Sequence, residues 1–74
     1  MIQVQEGKRY EFLQRDKEGA RSFTARVTSV EDRDFFQYVG FTPDDFRFGR
    51  WGFTRFYRDG FQKPYGIIIV KECG

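Results

Sequence analysis

Twelve of the fifteen aromatic residues of this 74-residue chain fall between Phe35 and Tyr65, while aliphatic residues are few: chiefly Ile2, Val4, Leu13, Val27, Val30, Val39 and the run Ile67-Ile68-Ile69-Val70. Such a chain must build its core from rings. A domain of this length buries only about 60% of the surface its unfolded chain exposes, and each ring brings about 150–250 Å². A core that small has no room for all twelve, so some rings are expected on the surface. From Phe46 to Tyr65 they are interleaved with Arg47, Arg50, Arg55, Arg58 and Lys63, and Asp59 is the one acidic residue in the stretch.

The formal net charge is only +2, too little for the whole molecule to act as a nonspecific polyanion binder. Its distribution is more informative. Residues 1–45 carry 7 Lys/Arg and 9 Asp/Glu, whereas residues 46–74 carry 6 and 2. That asymmetry points to one basic face, unless the fold interleaves the two segments. The single cysteine, Cys73, rules out an intramolecular disulfide, and small domains in oxidising compartments usually need such staples. The N-terminal MIQVQEGKRYEF lacks the apolar stretch of a signal peptide, and no segment approaches the ~20 apolar residues of a membrane span. A soluble, cytoplasmic protein without membrane association is expected.

No repeat or linker divides residues 1–74, which read as one domain. Tyr10 and Phe12 alternate with Arg9 and Glu11, and Asp16-Lys17-Glu18-Gly19 supplies a turn with Gly19 available for positive φ. The return strand places Phe23, Ala25 and Val27 on one face. Its apolar parity then shifts to Val30, which predicts a bulge that curves the sheet. After the polar turn Glu31-Asp32-Arg33-Asp34, a third strand is expected over Phe35 to Phe41. Thr42-Pro43-Asp44-Asp45 reads as a helix start, with Thr42 as cap and Pro43 at the first helical position.

Residues 46–58 have two readings. As a helix, Phe46, Phe53, Phe56 and Tyr57 share a face, at a cost of about 1 kcal/mol each for Gly49 and Gly52. As a hairpin, Gly49-Arg50-Trp51-Gly52 is the turn and Phe53 to Tyr57 a strand. The first, a short helix or two helical turns broken at the glycines, is the favoured expectation. Asp59-Gly60 should end this element, and Pro64 should lead into the last strand. Ile67 to Val70 shows no alternation, which predicts a strand buried on both faces at the centre of the sheet. The fold class expected is α+β, mainly β: a small SH3-like or PUA-like curved sheet or barrel of about 4–5 strands with a short helical insertion.

Gly7-Lys8-Arg9-Tyr10-Glu11-Phe12, followed after a loop by Phe23 to Val30, resembles the barrel hairpin of ASCH and PUA-like domains. Val39-Gly40-Phe41-Thr42-Pro43-Asp44-Asp45-Phe46, then Phe53 to Phe61 and the strand Tyr65 to Val70, is similar to their arrangement of a short helix before a final strand. The likeness spans roughly residues 4 to 72 and implies RNA or nucleotide binding. The Gly, Lys, Thr and Arg cluster that lines the family's cleft has no counterpart in residues 1–74, so the resemblance implies no catalytic residue.

The residues themselves also argue against an enzyme. The chain has no histidine, which removes the commonest general base, histidine metal sites and triads. Cys73 has no evident base partner. Gly49-Arg50-Trp51-Gly52 lacks the lysine and preceding apolar strand of a phosphate-binding loop. Asp44 and Asp45 are accounted for by a helix N-terminus, and Glu31, Asp32 and Asp34 by a solvated turn, so no metal or other cofactor is expected.

Two function classes remain. The first is a non-enzymatic nucleic-acid-binding module for RNA or single strands. Trp51, Phe53 and Tyr57 would be stacking platforms, while Arg47, Arg50, Arg55 and Arg58 would meet phosphates or stack themselves. Phe46, Phe53 and Phe56 are equally read as core covered by arginine stems, and for these three the core reading is preferred. The favoured site is therefore Arg47, Arg50, Trp51, Arg55, Tyr57 and Arg58, with Trp51 the preferred single residue. The second class is a protein-interaction module, such as a small regulator or inhibitor of the kind phages and mobile elements encode, because Trp, Tyr and Arg dominate interface energetics. Self-association through a leftover apolar patch is a third outcome.

Overall fold

The first hairpin forms where its turn chemistry puts it. In the computed structural model, which describes residues 4–58 and 65–73, strand β1 (Arg9–Asp16) pairs with β2 (Gly19–Asp32) across the two-residue turn Lys17-Glu18. The Asp16 carboxylate accepts from the Glu18 N–H at 2.9 Å, and Gly19 takes φ +148°. The long return strand buries Phe23, Ala25 and Val27, and its register slips between Val27 and Ser29, the bulge that the parity shift predicts. Strand β3 (Phe36–Pro43) follows, then β4 (Gly52–Tyr57) and β5 (Gly66–Glu72). All pairings are antiparallel in the order β4-β3-β2-β1-β5. The sheet curls into a half-barrel. Its two edges come close enough for the Thr54 hydroxyl on β4 to donate to the Ile67 carbonyl on β5 at 2.6 Å.

The concave side holds the core: Val4, Tyr10, Phe12, Phe23, Ala25, Val27, Val39, Phe41 and Ile69. Rings dominate it, as the shortage of aliphatics requires. Phe12 packs on Phe41 at 4.6 Å between centroids and on Phe23 at 5.3 Å. One buried polar side chain joins them. Gln37 accepts from the Val4 N–H at 3.3 Å and donates to Asp32 at 3.1 Å, so its amide is satisfied.

Four expectations need correction. The segment after Asp45 is not a helix: a single 3₁₀ turn, Phe46–Phe48, is capped by the Asp45 carboxylate, and Gly49 at φ +105° ends it. Residues 52–57 then run as a strand because pairing along β3 satisfies their backbone and separates Phe53, Arg55 and Tyr57 from Thr54 and Phe56. Thr42 and Pro43 belong to β3 rather than to a helix cap. The run Ile67 to Val70 lies in an edge strand, paired among the described residues to β1 alone, with Ile69 buried and Val70 43% exposed. It is continuous because Ile67 packs against the core while Ile68, opposite Leu13, covers the convex side. Phe46 and Phe53 are not core but 82% and 48% exposed. The expectations at Ile2, Asp59-Gly60, Phe61, Lys63 and Pro64 fall outside the described residues. Among the described residues no helix is long and apolar enough to cross a membrane.

Two glycines set how β3 and β4 fit. Gly40 lies opposite Phe53 and Phe41 opposite Gly52, so each ring lies over the other strand's glycine, on opposite faces of the sheet. A Cβ on Gly52 would stand 2.7 Å from Cζ of the buried Phe41 ring. Gly52→Ala should therefore lower stability by about 1–3 kcal/mol, as overpacking does, although alanine inside a strand ordinarily gains roughly 0.5–1 kcal/mol over glycine. The urea midpoint of the variant checks this, and a rise would contradict the packing described.

Candidate functional site

A strand buries every second residue, and on β3 and β4 the core takes Val39 and Phe41 on one strand and Phe56 on the other. The remaining positions, Phe36, Tyr38 and Gly40 opposite Tyr57, Arg55 and Phe53, are left on the convex side. There they form a ladder. Tyr38 and Phe53 stack at 5.4 Å with 20° between planes, and Trp51 meets Phe53 edge-on at 5.3 Å. Phe36 packs on Tyr57 at 5.7 Å, and the Arg55 guanidinium lies 5.0 Å over the Phe36 ring. Gly40 makes room for this: a Cβ there would stand 2.9 Å from the Phe53 ring and collide with the Ser29 hydroxyl. Trp51 is 69% and Tyr38 39% exposed, so the ladder faces water.

The ladder continues into a groove of about 500 Å³ at the seam between β4 and β5. Tyr38, Phe53 and Arg55 line one side of it, and Tyr65 and Ile67 approach from the β5 side. Tyr65 is also exposed.

Of the six residues singled out from sequence, Trp51, Arg55 and Tyr57 lie on this face. Arg50 is exposed in the loop just before β4. Among the described residues no carboxylate pairs with Arg50 or Arg55. Arg47 and Arg58 are differently placed. Arg47 grips Asp45 through Nε and Nη2, the latter at 2.7 Å, within the 3₁₀ turn. Arg58 ties the end of β4 to the end of β2 through Asp32 at 2.7 Å. The two chain segments of opposite charge thus do interleave, and part of the apparent basic excess is neutralised locally. Sequence reasoning missed Phe36 and Tyr38. The signal was present: their parity is opposite to that of Val39 and Phe41.

Three carboxylates are held below the ordinary 3.8 by the groups they bind. Asp32 accepts from Gln37 and Arg58. Asp44 accepts from the Thr24 hydroxyl at 2.6 Å and from Arg9. Asp45 accepts from the side chain and the backbone N–H of Arg47. These are links between strand ends and turns. Among the described residues no group of acidic or cysteine side chains is arranged to hold a metal ion. No family model, curated protein or solved structure matches the chain.

Because each of these carboxyls has a lowered folded-state pKa, its stabilising contribution is complete above the ordinary value and is lost as pH falls through the lower folded value. The urea midpoint should be level near neutrality and drop as pH falls below 3.8. Asp44→Asn should lower the neutral-pH midpoint and make the acid drop shallower. An unchanged acid profile in that variant would contradict the role given to Asp44.

Proposed function

We propose that the convex face of β3 and β4 binds single-stranded nucleic acid, RNA or DNA, with Trp51, Phe53 and Tyr38 stacking on bases and Arg55 and Arg50 meeting phosphates. The observation that carries this reading is the stacked Tyr38–Phe53 pair, flanked by Trp51 and by Arg55. Exposed rings beside guanidinium groups suit base faces and backbone charge together. The rings of the site stand 5.3–5.4 Å apart between centroids, well beyond the 3.4 Å rise per base of a stacked duplex strand. The spacing therefore suits bases drawn apart and suits a duplex poorly. The ASCH/PUA-like likeness points the same way. The core of the site is accordingly Tyr38, Trp51, Phe53 and Arg55, with Tyr57 and Phe36 supporting it and Arg47 and Arg58 acting mainly in the fold.

A second reading, docking on a protein partner, is favoured by one observation: Arg47 and Arg58 are already paired with carboxylates, which leaves the face more aromatic than cationic. Salt separates the two readings. If Arg50 and Arg55 each neutralise one phosphate, the slope of log K against log salt is about −1.4, and affinity for a mixed-sequence oligonucleotide falls about sevenfold between 50 and 200 mM. Arg55→Ala should halve that slope. Trp51→Ala should cost about 1–3 kcal/mol of binding while leaving the urea midpoint nearly unchanged, since the indole is exposed. Fluorescence anisotropy of a labelled oligonucleotide reads all three. Absence of binding at low salt would remove the reading and leave the protein partner.

A further inference from the structure

The seam between β4 and β5 has a composition that the ladder alone does not require. Both strands are sheet edges, and an edge presents main-chain N–H and C=O groups that no ladder partner takes. One of these is visible in the gap: the Ile67 carbonyl is turned toward β4, where the Thr54 hydroxyl donates to it. The Thr54 oxygen keeps acceptor capacity after that donation. Around these polar groups stand rings, with Tyr38 and Phe53 on the β3–β4 side and Tyr65 on the other. Gly66, at φ +109° with open space where a Cβ would be, lines the groove between Tyr65 and Ile67. Arg55 also lines the groove, its guanidinium 5.0 Å over the neighbouring Phe36 ring.

Rings, a hydroxyl–carbonyl pair and one cation lining the same groove match one ligand chemistry closely: a nucleobase carrying a phosphate. We propose that this groove is a mononucleotide subsite, in which one base is held against Tyr65, its edge read by the main chain and hydroxyl of the seam, and its phosphate met by Arg55. The volume of about 500 Å³ falls within the range of roughly 300–1,000 Å³ over which proteins hold small ligands. Tyr38, Phe53 and Arg55 belong to both ladder and groove, so a strand lying along the ladder passes the groove's mouth and turns one base into it. The ladder then supplies sequence-tolerant stacking, and the groove supplies whatever base preference the protein has. This inference rests on the nucleic-acid reading above, and the test keeps the two apart.

The test is titration of the ¹⁵N-labelled chain with AMP, GMP, CMP and UMP in turn, with ribose 5-phosphate as the control, following the amides of Thr54, Gly66 and Ile67. At least one nucleotide should shift these amides saturably while ribose 5-phosphate does not. Tyr65→Ala should weaken that nucleotide by about tenfold, whereas Tyr65→Phe, which keeps the ring, should hold it within about twofold. Nucleotides that do no more than ribose 5-phosphate, or that bind the Tyr65→Ala protein unchanged, overturn the subsite. If oligonucleotides bind and mononucleotides do not enter the groove, the subsite fails and the ladder stands. If a mononucleotide fills the groove and no oligonucleotide binds the ladder, the ladder reading fails and the subsite stands.

Discussion

The rest of the molecule depends on the contact among Phe12, Phe23 and Phe41, whose centroids lie 4.6–5.8 Å apart on the concave side of the sheet. Domains ordinarily bury a sheet face against a second layer. The described residues form almost no helix, and the chain has few aliphatic residues, so the sheet closes on itself around three rings from β1, β2 and β3. The bulge after Val27 permits the curl, and the Thr54–Ile67 hydrogen bond marks how nearly the two edges meet. A single curled layer has one inside. Among the described residues no second layer covers the convex face of β3 and β4, and Trp51, Phe53 and Tyr38, which strand alternation places there, are exposed.

That exposure is built into the packing rather than left over from it. Gly40 and Gly52 hand space to Phe53 and Phe41 in adjacent register pairs, one ring over each face. The exchange that seats Phe41 in the core also seats Phe53 on the surface, against Tyr38. Charge follows a similar division. Arg9, Arg47 and Arg58 are held by Asp44, Asp45 and Asp32 at the ends of strands and turns, where exposed pairs contribute little stability each but fix where the chain bends. Arg55 lies on a ring instead. Among the described residues, Arg50 and Arg55 have no carboxylate partner.

Much of the β-structure was legible because it depends on local chemistry. The Asp16 to Gly19 turn, the Phe23-Ala25-Val27 face and the parity shift before Val30 all follow from alternation and turn preference, and all appear in the structure. Residues 46–58 were misread because their rings satisfy a 3.6-residue period as well as a 2-residue one. Pairing with β3 decides between them, and a partner strand cannot be read from the segment itself. The same limit hid the edge position of β5, since Ile67 to Val70 are apolar on both faces whether the strand is central or at an edge. At the site, Trp51 and Arg55 were legible from composition. Arg47 and Arg58 were overvalued because their carboxylate partners come from turns whose positions only the fold reveals. Phe53 was assigned to the core because its strand parity, which places it on the convex face, is set only by pairing with β3.

The most direct test of the central claim is photo-crosslinking of the full chain to a short 4-thiouridine oligonucleotide, with the linked residues identified by mass spectrometry. The account predicts adducts concentrated on Trp51, Phe53 and Tyr38, the exposed rings of the convex β3–β4 face. Adducts on the β1–β5 side around Leu13 and Ile68, or none above the level of a denatured control, would contradict it.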